Sequence, residues 1–250
     1  MNPLSLITDS YERKARLYPA LLLVIPVVVT VVGMVSAKLS SLESIGAAIV
    51  GCGGAFLLAQ LARDAGKKGE RALFAKWGGL PSVAIFRHSD PRLDSITKAR
   101  YHKKLSALVS GVKAPSSEEE RADPAAADQV YTAWSTYLRV NTRDTKKYFL
   151  LFQENVNYGY RRNVWGLRPI GIIATTLCCT IATAWSYHLY RHAGKIGGET
   201  IATLAFVLFS LLLWIFRFSS GWVRVPADAY AERLAETVET FGGKASAAKK

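Results

Sequence analysis

A chain of 250 residues that is 50% hydrophobic and 20% charged must segregate the two kinds of residue, because uniform mixing would leave neither a core nor a soluble surface. Three cysteines exclude a disulfide-stapled secreted scaffold, and a formal net charge of +13 excludes an acidic, solvating chain. The excess of Lys and Arg answers either to a polyanion or to a membrane, and the placement of these residues is read as topology first.

The first eight residues carry Leu4 and Ile7, which share a helical face with Tyr11 and Tyr18 above Arg13, Lys14 and Arg16. This spacing predicts an interfacial helix over residues 1–16. Residues 17–37, 45–61, 169–190 and 200–216 contain no Asp, Glu, Lys or Arg. Each run approaches the ~20 residues that cross a ~30 Å hydrocarbon core, so four transmembrane helices are predicted. A competing reading of the first run, basic residues followed by an apolar stretch ending Val35-Ser36-Ala37, is a cleaved secretory signal.

Pro26 predicts a kink in the first span, and the turn at 38–44 fits an antiparallel hairpin. The second span places Ala47, Gly51, Ala55 and Ala59 on one stripe of small residues. Such a stripe admits another helix at close range, either the first span or the same stripe of a second copy, and so marks these four as candidate oligomer contacts. Cys52, Cys178 and Cys179 all fall inside spans and read as small packing residues, which leaves no metal site.

Residues 62–168 read as a basic, mainly helical domain. A helix is expected over 62–76, an interruption at Gly78-Gly79-Leu80-Pro81, a lone strand or extended segment over 82–86, and a helix over 92–109 with Asp90 as a candidate cap. Leu93, Tyr101, Leu105 and Leu108 mark the inner face of that last helix, with Lys98, His102, Lys103 and Lys104 placed elsewhere. The stretch 111–127, with Glu118, Glu119 and Glu120, predicts a surface linker or short acidic helix. Two further helices carry Val130, Trp134, Tyr137 and Leu138, then Tyr148, Phe152 and Val156.

In the third span Thr176, Thr180 and Thr183 share a face and are candidate pore-lining hydroxyls, while Trp185, Tyr187 and Tyr190 sit near its outer end. After the fourth span, residues 217–250 predict an amphipathic helix opened by Pro226, with Tyr230, Leu234, Val238 and Phe241 as its apolar stripe, then a disordered tail. The acidic outer face of that helix suits docking on protein. The predicted fold class is therefore an all-α membrane protein, two transmembrane helical hairpins (17–61 and 169–216) flanking a mainly helical cytoplasmic domain.

Of the 32 basic residues, 29 lie in 1–16, 62–168 and 217–250, and the hairpin tips hold only Lys38, Arg191 and Lys195. The positive-inside rule then puts both termini and the central domain in the cytoplasm of a multi-pass protein of the bacterial inner membrane.

The stretch Ala62-Arg63-Asp64 through Trp77-Gly78-Gly79-Leu80-Pro81 and Arg87-His88 to Thr97-Lys98-Ala99-Arg100-Tyr101-His102, with Glu154-Asn155-Val156-Asn157-Tyr158-Gly159, resembles a widespread group of uncharacterised bacterial four-span membrane proteins. The overall layout is more loosely similar to the membrane effectors of anti-phage systems of the Hailong type. That similarity implies a cytoplasmic domain that senses a nucleotide or oligonucleotide and governs a channel, and it transfers no residue role.

The sequence holds no Gly-rich nucleotide loop, no HExxH and no GxSxG, so no enzyme and no cofactor is expected. The spans contain no Asp, Glu, Lys or Arg, which argues against ion-coupled transport. Between residues 87 and 113, seven basic residues face only Asp90 and Asp94. Arg87, His88, Arg92, Lys98, Arg100, His102, Lys103 and Lys104 are accordingly the candidate ligand-binding residues, able to grip phosphate by charge and stacking. The leading expectation is an oligomeric inner-membrane effector or channel controlled by such an anionic ligand. The alternative is a membrane scaffold that recruits a soluble protein through its C-terminal helix, and a membrane-tethered enzyme using His88, Asp90 and His102 ranks behind both.

Overall fold

The computed structural model describes residues 9–35 and 54–241, and these are helical with intervening turns, without a strand among the described residues. A π-helical turn, Glu12–Leu17, leads into α1 (Tyr18–Val35). Then follow α2 (Gly54–Trp77), α3 (Pro81–Ala84), α4 (Ser95–Leu108), α5 (Ser117–Ala122), α6 (Pro124–Asn141), α7 (Phe149–Ala193) and α8 (Gly198–Leu212). The last of these passes into a second π-helical segment, Leu213–Arg217, before α9 (Ser220–Glu236) and a 3-10 turn, Thr237–Thr240. The chain divides into two compact units, one of residues 1–70 and 159–223, the other of residues 71–158 and 224–250.

Three stretches, which lie in the first unit except for residues 149–158, are long and apolar enough to cross a membrane: Glu12–Met34, Phe149–Ala193 and Gly198–Arg217. Leu21, Ile25, Val28, Ile173, Leu177, Phe209 and Leu212 are all exposed on this unit. An apolar exterior of that extent has its natural solvent in lipid hydrocarbon, where these side chains lose nothing by facing outward. Of the second predicted span, residues 45–53 lie outside the described residues, as do Leu4, Ile7, Lys38, Ala47, Gly51, Cys52 and the tail from residue 242.

Because apolar side chains gain little from facing each other rather than lipid, such helices associate by close van der Waals approach, which small residues permit. The stripe that includes Ala59 continues through Ala62, Gly66 and Gly69 of α2. Ala59 and Ala62 are fully buried within the single chain. A Cβ on Gly166 of α7 would overlap the backbone of Ala65 and Gly66, so at this crossing α2 and α7 meet main chain to main chain. Gly69 receives the Trp165 ring, Gly171 the Trp214 ring, and Gly159 lies against Tyr11 and Ala15. The described end of the predicted oligomer stripe therefore packs inside one chain.

The arginines expected to mark topology also clamp this unit. Arg168 donates from Nε to Trp214 O (3.0 Å) and from Nη2 to Ile215 O (2.8 Å), satisfying carbonyls that the π-helical end of α8 leaves open. Arg162, 5% exposed, reaches Glu70 at 2.6 Å and the side chain of Asn163, whose amide donates to Ala15 O. Burial opposes the Glu70 charge, but Arg162 and Lys67 together hold its carboxyl below the usual range. Arg161 donates to Trp222 O and lies over the Trp222 ring.

The second unit is built the other way round. Phe86, Tyr101, Leu105, Tyr131, Trp134, Leu138, Leu234 and Val238 form one core, with Trp134 and Tyr131 fully buried. Side chains of this size each stabilise by about 1.5–3 kcal/mol on burial. The α9 stripe expected to offer itself to a partner, Tyr230, Leu234, Val238 and Phe241, is part of this core or packs on it.

Several boundaries differ from expectation. Residues 82–86 are not extended: Pro81 opens α3 at a position where its missing N–H is harmless, and the whole of α3 is buried, so tertiary packing overrides the strand-like composition. The cap of α4 is Asp94, which accepts from Thr97 N, while Asp90 pairs with Arg92. Pro226 lies inside α9 rather than opening it, and α7 runs through Pro169 without a break. Each proline removes one ladder bond, which packing of the flanking turns absorbs. Glu120, placed on the surface by its acidic neighbours, is buried.

Candidate functional site

The predicted ligand residues lie on the turn after α3 and on α4. Lys98, His102 and Leu105 follow at i, i+4 and i+7, so all three belong to the buried stripe of α4, and only Arg100, Lys103 and the flank of Lys104 remain outward. The eight residues are therefore not one site.

Five of them hold the turn together. Arg87 forks onto Asp128, Nε to Oδ1 at 2.8 Å and Nη2 to Oδ2 at 2.6 Å, and its third bond goes to Gly78 O. Arg92 joins Asp90 to Asp228 of α9, at 2.7 Å and 2.8 Å. The Lys98 ammonium, 6% exposed as a residue, donates to His88 O at 3.2 Å and Asp90 O at 2.6 Å. Burial lowers its affinity for the proton. His88 Nε2 donates to Pro115 O, and His102 Nε2 donates to Phe86 O at 2.7 Å, which fixes the tautomer of each ring. The two imidazoles meet edge to face at 4.9 Å.

Beneath this turn sits Glu120, which nothing in the sequence marked as functional. Its carboxylate accepts from Tyr131 OH at 2.6 Å, from His88 N at 2.8 Å, and from the amide and hydroxyl of Ser89. Burial opposes its charge, yet these donors outweigh burial and hold the carboxyl below its ordinary range. Burial and the same carboxylate push the Tyr131 hydroxyl far up. Burial takes the His102 imidazole down to about 4, against the pull of the Phe86 carbonyl. The only sequence signal for Glu120 was the capping box of α5: Ser116 and Glu119 cap the helix reciprocally, which leaves the next glutamate to turn inward.

A shallow depression of about 390 Å³ is lined by His88, Asp90, Ser95 and Lys98 among others. Its charged groups and the His88 ring are already bonded within the unit. Among the described residues no three His, Cys, Asp or Glu side chains converge as metal ligands.

The outward face of α4 differs. Arg100 Nη2 lies 2.7 Å from Glu239 Oε1, with the two side chains 56% and 46% exposed, and Lys104 Nζ lies 3.8 Å from the same carboxylate. Lys103 is exposed and has no carboxylate partner among the described residues. Arg100 and Lys104 thus share one carboxylate in high dielectric, a pairing worth little that an incoming anion can replace. The predicted pore hydroxyls Thr176, Thr180 and Thr183 are exposed on α7, and Thr180 donates to Thr176 O. Compared with known proteins, the chain matches no family model, no curated protein and no solved structure.

Proposed function

We propose that the chain is an oligomeric effector or channel of the bacterial inner membrane, and that its second unit, on the cytoplasmic side, senses a nucleotide or oligonucleotide. The observation that carries this reading is the outer face of α4, where Arg100, Lys103 and Lys104 outnumber their single carboxylate, Glu239. Phosphate would replace Glu239 there, with the exposed Arg100 guanidinium free to reorient for bidentate bonding. A ligand that binds one arrangement of the protein better than another shifts the population between them. The interior of the membrane-capable unit is filled by Val164, Leu167, Trp214 and Phe218, so conduction would need several copies around an axis.

The scaffold alternative has less to stand on, because the apolar stripe of α9 is buried in its own unit. A soluble partner would have to read Glu232, Arg233 and Glu236 on the outer face instead.

The test uses the full-length chain and short single-stranded oligonucleotides. Neutralising Arg100, Lys103 and Lys104 to Gln should weaken binding and reduce the slope of log affinity against log salt by about 2, at roughly 0.7 per lost phosphate contact. The exposed trio Arg143, Lys146 and Lys147 is the control of equal charge, and its neutralisation should leave the slope nearly unchanged. Ion flux in liposomes should rise with ligand in the wild type and not in the α4 variant. Equal effects from both trios would reduce the binding to general polyelectrolyte attraction and sink this reading.

A further inference from the structure

An apolar groove of about 300 Å³ opens between α1 and the end of α8, walled by Leu22, Ile25 and Pro26 on one side and Phe209, Leu213 and Trp214 on the other. Both walls depart from regular helix here. Pro26 removes a bond from the α1 ladder, and Leu213–Arg217 is π-helical, which widens the last turn of α8. The one hydroxyl in the lining, that of Ser210, is donated to Phe206 O at 2.8 Å. The groove therefore offers water few partners and suits hydrocarbon.

Its length and its end identify the occupant. From Phe206 to Arg217 the chain advances roughly 16 Å at ~1.5 Å per residue, about half of a ~30 Å hydrocarbon core. That is the depth of one leaflet. Just beyond the groove, Arg217 is exposed, with its guanidinium 5.1 Å from the Trp222 ring and no carboxylate partner among the described residues. Arg161 lies over the same indole at 5.0 Å, so the corner is cationic and aromatic, as befits a headgroup level.

We infer that this groove is a binding site for one anionic phospholipid, with an acyl chain between α1 and α8 and the phosphate on Arg217. The site differs from the bilayer's general solvation of the protein in two respects: a specific chain seat, and selectivity for charge.

The full-length chain in detergent is titrated with phosphatidylglycerol and with phosphatidylcholine of the same acyl chains, and the first binding constant is read by native mass spectrometry. Phosphatidylglycerol should bind about fivefold more tightly, the worth of one basic residue at a membrane surface. Arg217→Gln should abolish that preference, weakening phosphatidylglycerol more than phosphatidylcholine, whose phosphate charge is offset by its own quaternary ammonium. Ile25→Trp, at a partly exposed lip of the groove, should weaken both lipids, with Ile25→Phe as the milder variant if the first misfolds. Glycerol 3-phosphate, which has the phosphate but no chain, should not compete. Equal binding of the two lipids to the wild type, no response to either groove variant, or displacement by glycerol 3-phosphate would each overturn the site. Arg217→Gln should not alter oligonucleotide binding, so this inference and the proposed function fail separately.

Discussion

The two units solve the packing problem with opposite materials. The first turns Leu, Ile, Val and Phe outward and brings glycines and alanines to its helix crossings, while the second buries Trp134, Tyr131, Phe86 and Leu138 and, apart from groups such as Lys98 and Glu120, turns its charges outward. Yet in both, several arginines are structural rather than free: Arg162 and Arg168 clamp the first, Arg87 and Arg92 the second. A net charge of +13 is thus a poor guide to ligand affinity in this chain, because its cations divide between internal clamps and a small exposed remainder.

The comparison is broken most directly at Gly166. A methyl group there would meet the backbone of Ala65 and Gly66, which cannot move aside as a flexible side chain would. Gly166→Ala should cost about 3 kcal/mol, the upper end for overpacking, and lower the unfolding temperature in detergent or prevent recovery of folded chain. Gly198→Ala is the control, since nothing lies within 4 Å of its added Cβ. Equal stability of the two variants would show that the α2–α7 crossing is not the close contact described.

The second unit should fail by acid instead. His102 titrates near 4 in the folded chain, against ~6.5 unfolded, so between these values the unfolded chain holds the extra proton. Its contribution is fully present above ~6.5 and is lost as pH falls toward 4, amounting to roughly 2 kcal/mol by pH 4.5. Glu120 and Asp90, whose folded values are lowered, lose their contributions only further into acid. Tryptophan fluorescence of the full chain should therefore show lower stability at pH 5 than at pH 7, and His102→Gln, which keeps a donor for Phe86 O, should flatten that dependence. A pH profile unchanged by His102→Gln would remove the histidine from the account.

What the sequence made legible follows the same division. The apolar runs of the first unit were plain, because hydrocarbon tolerates almost no charge over ~20 residues. The continuation of the small-residue stripe to Gly66 and Gly69 was also visible at helical spacing, but the expected boundary at residue 61 cut it short. In α4, Lys98 and His102 stood on the buried stripe by spacing alone, and a polar label sent them to the surface; the Phe86, His88 and Asp90 carbonyls that receive them are set by a turn no periodicity reveals. Glu120 was hidden for the same reason, since its donors come from residues 31 and 32 positions away as well as from Tyr131. Pro226 was read as a boundary because local rules place proline at helix starts, and neighbouring packing decides otherwise.

The smallest stability effect separates the clamps from the exposed remainder. Among the described residues Glu239 is the one carboxylate within 4 Å of Arg100 and Lys104, and all three side chains retain exposure, so solvent screens the pairing. Glu239→Gln should change stability by less than about 0.5 kcal/mol, whereas a clamp such as Arg87 with Asp128 is partly buried and bidentate and should cost several times more to break. The same substitution should strengthen oligonucleotide binding at low salt, because it removes the charge that competes with phosphate for α4, and the gain should shrink as salt rises. Thermal unfolding and a salt titration on one preparation measure both halves. A large loss of stability would make Glu239 a clamp like Asp128. Unchanged stability with unchanged binding would mean that the ligand, if it binds this unit, does not use the Arg100, Lys103 and Lys104 face.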